Sequence, residues 1–228
     1  MANLIELRGL TKTYSIGGNA VRALDGVSLT VEKGEFLAIV GRSGSGKSTL
    51  MNIIGCLDTP TSGKYFLSGA DVSSFDEKHL ARIRNREIGF IFQSFNLIGS
   101  LNARENVELP LIYRGVERAE RHRLAEDALC RVGLAERMAH LPAQMSGGQQ
   151  QRVAIARAIA ACPPVILADE PTGNLDSKSG GEIMAILREL SRAGRTVVLI
   201  THDDRIARSA ERMVRLCDGR LESDSAAG

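Results

Sequence analysis

The 228-residue chain is 43% hydrophobic and 25% charged, which places it with folded globular proteins and excludes disorder as its main state. Its length is enough for one α/β domain with a full core. Twenty-nine Lys and Arg against 27 Asp and Glu leave a formal charge of +2, too small to argue by itself for a nucleic-acid or membrane surface.

In chain order, Val27 to Val31 alternates apolar with polar residues and Phe36 to Val40 is an apolar run; both are predicted strands, separated by the turn Glu32-Lys33-Gly34. A glycine-rich turn leads into a predicted helix, Lys47 to Leu57, with Leu50, Ile53, Ile54 and Leu57 on one apolar face. Gly63 to Gly69 and Gly89 to Phe92 are further short strands. Glu117 to Met138 favours helix with a break at Gly133, and a second helical stretch runs from near Gly147 to Ala161. The pattern then alternates: a buried-type strand at Pro164 to Ala168, a helix at Ser179 to Arg192 with Gly194 in the capping position, and a strand at Thr196 to Thr201. Strands alternating with helices imply a largely parallel sheet with functional loops at the strands' carboxyl ends. The tail Ser223 to Gly228 is expected to fray.

The most apolar stretch, Val153 to Ala168, is interrupted by Arg157, Pro163 and Pro164, and Met1 to Leu10 lacks the apolar run of a signal peptide. A cytoplasmic chain is expected. Cys56, Cys130, Cys162 and Cys217 form no C-x-x-C pair and are expected to be reduced, mostly buried thiols.

Gly41-Arg42-Ser43-Gly44-Ser45-Gly46-Lys47-Ser48 fits G-x-x-x-x-G-K-[ST] between a predicted strand and a predicted helix. In such a phosphate-binding loop the glycines let backbone N–H groups surround an anion, and the helix start adds its positive dipole end. Lys47 then reaches the β- and γ-phosphates and the Ser48 hydroxyl binds Mg²⁺; Gly41, Ser43, Gly44, Ser45, Gly46 and Thr49 complete the cradle. The run Val165 to Ala168 ends in Asp169 and Glu170, a carboxylate for Mg²⁺ and one to orient or deprotonate the attacking water. Ser146-Gly147-Gly148-Gln149 opens the second helical stretch. Its serine reads as an N-cap, but two glycines opening a helix point to a second backbone anion cradle.

With these motifs together, the chain resembles the nucleotide-binding subunits of ABC transporters from about Ile5 to Glu222, with Met145 in place of the leucine that precedes Ser146 in the signature. The resemblance implies that Gln93 contacts Mg²⁺ and senses the γ-phosphate, that Asp176 in Gly173-Asn174-Leu175-Asp176 belongs to the D-loop, that His202 holds the γ-phosphate and that Tyr14 stacks on adenine. It implies a P-loop NTPase of ABC type: a mainly parallel α/β core (about 1–92 and 162–222), an antiparallel β subdomain and an inserted helical subdomain (about 93–161). Phe92 to Leu97, Glu105 to Pro110 and Gly148 to Arg152 are most similar to the MacB and LolD group, which serves macrolide and peptide exporters or lipoprotein-release complexes. Gly99 and Asn102 stand where that group has Pro and Thr.

Chromosome and repair ATPases of this type carry a long coiled coil between Gln93 and the signature, and translation factors carry two cassettes; neither feature fits this chain. The basic stretch Lys78, His79, Arg82, Arg84, Arg86 lacks interleaved aromatics and reads as a solvated helix face, so no nucleic acid is expected. The resemblance implies an ATPase using ATP and Mg²⁺, working as a pair of copies that share two composite sites. It also implies a separate transmembrane permease chain and a peripheral place on the cytoplasmic face of the inner membrane. The segment from about Phe95 to Leu109 is expected to help receive a helix of the permease.

Overall fold

The computed structural model describes residues 3–226. In chain order its elements are β1 (Asn3–Ile16), β2 (Asn19–Glu32), β3 (Phe36–Val40), α1 (Lys47–Ile54), β4 (Ser62–Leu67), β5 (Ala70–Asp71), α2 (Glu77–Glu87), β6 (Ile88–Phe92), α3 (Ala103–Tyr113) and α4 (Arg118–Arg131). They continue with α5 (Gly147–Ala160), β7 (Val165–Asp169), α6 (Ser177–Arg192), β8 (Thr196–Thr201), α7 (Asp204–Ala207), β9 (Arg212–Cys217) and β10 (Arg220–Ala226). The chain forms two compact units, residues 1–84 with 190–228, and residues 85–189.

In the first unit, β1 pairs antiparallel with β2 and β4, and β4 with β5. The other sheet of this unit is mainly parallel: β3 runs parallel to both β8 and β9, and β10 returns antiparallel on β9. All residues of β3 and β8 are buried, as continuous apolar runs in a covered parallel sheet require. α1 ends at Ile54, where the buried Tyr65 hydroxyl donates to the Ile54 carbonyl at 2.8 Å. The chain has left the helix before Leu57, which is 45% exposed, so the apolar face expected to include it stops one turn earlier.

The tail departs from expectation. Residues 223–226 belong to β10, and Arg212 holds Asp224 through two 2.6 Å bonds while also reaching Glu35 at 3.0 Å. Residues 227 and 228 lie outside the described residues. The cysteine reading is corrected as well. Only Cys56 is buried, while Cys130, Cys162 and Cys217 are exposed because each sits at or beyond the end of its helix or strand; none of the four forms a disulfide.

In the second unit β6 pairs parallel with β7, and α3, α4 and α5 pack on one another. α5 approaches β6 so closely that a Cβ on Gly89 would lie 2.4 Å from the Ala158 carbonyl oxygen. Glu108, buried on α3, ties that helix to α4: it accepts from Arg121 Nε at 3.1 Å, and His122 Nδ1 lies 2.5 Å from its other oxygen. Asn102 substitutes well for threonine, because its side chain accepts from Glu105 N–H and Glu105 answers to Asn102 N–H, a complete capping box for α3. Gly99 has open space around it and no positive φ, so nothing in the backbone demands a glycine there.

Candidate nucleotide-binding and hydrolysis residues

The loop between β3 and α1 has the glycines its path needs. Gly44 and Gly46 have φ of +81° and +101°, and a Cβ on Gly46 would sit 2.5 Å from the Ala23 carbonyl oxygen. Gly41 is held by proximity: its Cβ would lie 2.4 Å from the Leu216 carbonyl oxygen and 2.5 Å from Ser45 Oγ. Gly46, as N-cap, offers α1 no side-chain bond, so the first-turn amides remain for an anion. Lys47 Nζ folds over the loop, donating to the Gly41 and Arg42 carbonyls at 2.6 and 2.8 Å. Ser45 Oγ is buried without a hydrogen-bond partner. A strained glycine cradle, a lysine above it and an orphaned buried hydroxyl fit a polyphosphate.

Ser48 is exposed beside this lysine on the first turn of α1. Among the described residues no three His, Cys, Asp or Glu group as a metal site. A Mg²⁺ held by one hydroxyl and phosphate oxygens requires no such cluster, so the donor set fits Mg²⁺ bound together with nucleotide.

Strand register places the next candidates. Val40 pairs with Thr201, so Gly41 and His202 leave adjacent parallel strands side by side. In the second unit Phe92 pairs with Asp169, so Gln93 and Glu170 do the same. Each unit therefore presents its candidates at the carboxyl ends of two parallel strands, where α/β proteins place their chemistry. Glu170 has a φ of +44°, a backbone region that a non-glycine residue occupies only when its surroundings hold it there.

Gln93 and the D-loop hold each other: Gln93 Nε2 donates to Asn174 Oδ1 and Asn174 Nδ2 donates to the Gln93 carbonyl, both at 3.1 Å. A Cβ on Gly173 would lie 2.7 Å from Gln93 Nε2, which explains that glycine. Asp176 caps α6, accepting from the Lys178 and Ser179 amides at 3.0 Å and the Ser179 hydroxyl at 2.7 Å. These bonds, the Ser179 amide first, hold its carboxyl below the usual range.

Ser146 N-caps α5 in a capping box with Gln149: its hydroxyl accepts from Gln149 N–H at 3.3 Å, and Gln149 Oε1 accepts from Ser146 N–H at 2.9 Å. Gly148 has a packing reason besides any ligand, since its Cβ would lie 2.9 Å from Ser179 Oγ. Gly147 would meet Leu175 at 3.4 Å and Phe95 at 3.7 Å. Met145 is buried, as the leucine it replaces is expected to be.

Tyr14, on β1, is partly buried. Its hydroxyl donates to Asp58 Oδ2 at 2.9 Å, and Lys12 Nζ lies 5.0 Å from its ring centroid.

Three polar residues escaped the sequence reading as organisers of these loops. Gln151 is fully buried on α5 and donates to the Pro171 carbonyl at 2.6 Å and the Phe92 carbonyl at 3.3 Å, binding the ends of β7 and β6 to one helix. Arg157, also on α5, donates to the Asn96 and Phe95 carbonyls at 2.5 and 2.7 Å. Asn106 is fully buried and bonds to the Ile98 amide and to the Ile98, Leu101 and Asn102 carbonyls. The only signal for them was a polar side chain on an otherwise apolar helix face.

The family described as "ABC transporter" matches residues 24–173. The chain is 54% identical over 97% of its length to the macrolide export ATP-binding/permease protein MacB of Hyphomonas neptunium. It is 55% identical over 98% of its length to the pyoverdine export ATP-binding/permease protein PvdT of Pseudomonas aeruginosa. In both cases it spans 34% of the relative's length. Among solved structures, a dimeric post-hydrolysis state of the ATP-binding cassette MJ0796 bound to ADP and Pi superposes with a TM-score of 0.90 at 49% identity, covering 98% of this chain and 99% of the other. A second dimeric MJ0796 structure, described as a bacterial ABC transporter cassette, gives 0.90 at 50% identity over the same shares.

Proposed function

Because the chain belongs to the ABC transporter family, we propose that it hydrolyses ATP to drive a membrane permease in export or lipoprotein release of the MacB and LolD kind. It is an ATP-binding cassette with the P-loop NTPase fold, and its family are ATPases. The observation that carries the reading is the phosphate cradle at Gly41 to Ser48, whose glycines are demanded by φ and by close backbone approach.

In this reading backbone amides of the loop and Lys47 bind the β- and γ-phosphates, Ser43, Ser45 and Thr49 line the cradle, and Tyr14 stacks on the base. Ser48, Gln93 and Asp169 are assigned to Mg²⁺, which when bound supplies charge neutralisation for the transferred phosphoryl group. Glu170 orients the attacking water and takes its proton; His202 holds the γ-phosphate; Lys47 and the loop amides stabilise the spreading negative charge. Ser146, Gly147, Gly148 and Gln149 are assigned to the ATP of a second copy, with Asp176 nearby in the closed pair. The dimeric MJ0796 structures support that pairing.

The permease assignment rests on relatives whose names join ATP-binding with permease. Among the described residues no helix is long and apolar enough to cross a membrane. We assign the segment from about Phe95 to Leu109, ordered by Asn106 and Arg157 and carrying the 45% exposed Ile98, to the permease contact on the cytoplasmic face of the inner membrane.

Phosphate release by purified chain, with Lys47→Ala and Glu170→Gln beside it, tests the reading. Lys47→Ala is expected to lose nucleotide binding and turnover. Glu170→Gln is expected to bind ATP while hydrolysis falls about 10²- to 10⁴-fold. Normal hydrolysis by both variants would overturn it.

A further inference from the structure

Lys12 and Tyr14 lie two residues apart on β1. One carboxylate, Asp58, engages both. Its Oδ2 accepts from the Tyr14 hydroxyl at 2.9 Å and its Oδ1 from Lys12 Nζ at 2.6 Å. Oδ1 also accepts from the Thr59 amide at 2.7 Å, which fixes the carboxylate to its own backbone. Lys12 donates a second bond to the Thr59 carbonyl at 2.7 Å, and its ammonium is held 5.0 Å from the Tyr14 ring centroid. Asp58 itself lies in the segment that follows α1, the helix that the phosphate loop opens. The phenol is thus tied at its far end to the segment after α1, and a cation sits close to its ring.

From this arrangement we infer that Asp58 and Lys12 are positioning residues for the nucleotide base: they lock Tyr14 in the stance from which it stacks on a purine, at a fixed place relative to the phosphate cradle. The inference rests on the reading of Tyr14 as the base platform. A tyrosine free to rotate about χ1 and χ2 has to be ordered when the base arrives. One already anchored through its hydroxyl does not, and the saving appears as affinity. The Lys12 ammonium near the ring further restrains it through cation–π attraction. Stacking reads a π-face, so adenine and guanine nucleotides depend on the lock equally.

A plain structural role, in which Lys12 and Asp58 only staple residues 58–61 to β1, makes a different expectation, and base-free polyphosphate separates the two. ATP and inorganic tripolyphosphate are titrated calorimetrically, without hydrolysis in EDTA, into the 228-residue chain and into Asp58→Asn, Lys12→Met, Tyr14→Phe, Tyr14→Ala and the Asp58→Asn/Tyr14→Ala double variant. Asp58→Asn, Lys12→Met and Tyr14→Phe should each weaken ATP by about three- to tenfold and leave tripolyphosphate unchanged. The double variant should bind ATP no worse than Tyr14→Ala alone. Equal weakening of ATP and tripolyphosphate, or an Asp58→Asn effect that persists in the Tyr14→Ala background, would overturn the inference in favour of the staple. Unchanged ATP affinity in Asp58→Asn and Tyr14→Phe, with Tyr14→Ala still weakened, would overturn it while sparing the platform. If Tyr14→Ala binds ATP as the native chain does, the platform reading itself falls and the inference with it. Should Asp58→Asn fail to fold, Tyr14→Phe, which loses only the hydroxyl, separates the lock from the staple in the same way.

Discussion

Arg157→Met removes a fork of two donors from a partly buried site while keeping most of the stem. Arg157 bonds to the carbonyls of Phe95 and Asn96, whose φ values are +59° and +51°. Left-handed backbone costs an L-residue about 1–2 kcal/mol, less for Asn, so the pair stores roughly 2–3 kcal/mol. Two hydrogen bonds from a charged donor contribute about 1.5–3 kcal/mol each, which leaves up to about 4 kcal/mol, with a middle value near 2, holding the segment in place. Burial lowers the Arg157 pKa by desolvation but leaves an arginine charged, so the bonds stay charge-assisted at any working pH. The variant should lose about 2 kcal/mol in urea unfolding, and amides at 94–97 should exchange about 10- to 100-fold faster at native conditions. ATP hydrolysis should fall as well, because Gln93 leaves β6 just before this segment. Unchanged exchange at 94–97 together with unchanged hydrolysis would refute the argument that Arg157 holds this strained turn.

Gly46→Ala should abolish nucleotide binding in calorimetry, since its φ of +101° and the 2.5 Å approach to the Ala23 carbonyl leave no room for a methyl group. Asn106→Ala strands the groups that order residues 98–102 and should cost about 2–4 kcal/mol in urea unfolding. Thiol labelling of native chain at pH 8 should count three fast cysteines, because burial pushes Cys56 up to about 11 and keeps it protonated; the fourth should appear only on denaturation. At Asp58 burial raises the pKa, but bonds from Lys12, Tyr14 and the Thr59 amide outweigh it and leave the carboxyl below its usual value. The stabilisation is therefore full above about pH 4 and lost as pH falls through the depressed value. Asp58→Asn should show a smaller loss of urea stability between neutral pH and about pH 3 than the native chain.

The phosphate loop, the strand ends at Asp169 and Thr201 and the helix opened by Ser146 were legible because each is a local pattern whose chemistry and backbone demands coincide. β1 was not. Register shifts between Leu7 and Leu10 and at Lys12 break its alternation, and only the antiparallel partners β2 and β4 make it continuous. α3 carries Pro110 inside it, which reads as a break, yet the Asn102 and Glu105 capping box and packing on α4 and α5 sustain it. β9 and β10 are rich in arginine and acidic residues; β9 is held by lying beside β3, β10 by pairing with β9, and both by the Arg212, Glu35 and Asp224 bridge, which are tertiary facts. The positions of Gln93 and Glu170 were named by motif, but their adjacency required the register of Phe92 with Asp169. The capping work of Asp176 and the packing role of Gly148 against Ser179 also needed three dimensions.

The most direct test of an ATP-driven pair of cassettes is light scattering of the Glu170→Gln chain with ATP and Mg²⁺, beside the same chain carrying Ser146→Arg. Blocked hydrolysis should let the closed pair accumulate, so the mass should rise from 24.6 kDa to twice that value. Ser146→Arg should hold the mass at that of one chain while calorimetry still reports ATP bound through the intact P-loop. Ser146→Arg in an otherwise native chain that hydrolyses ATP at the full rate, at a concentration where scattering reads a single chain, would contradict the account.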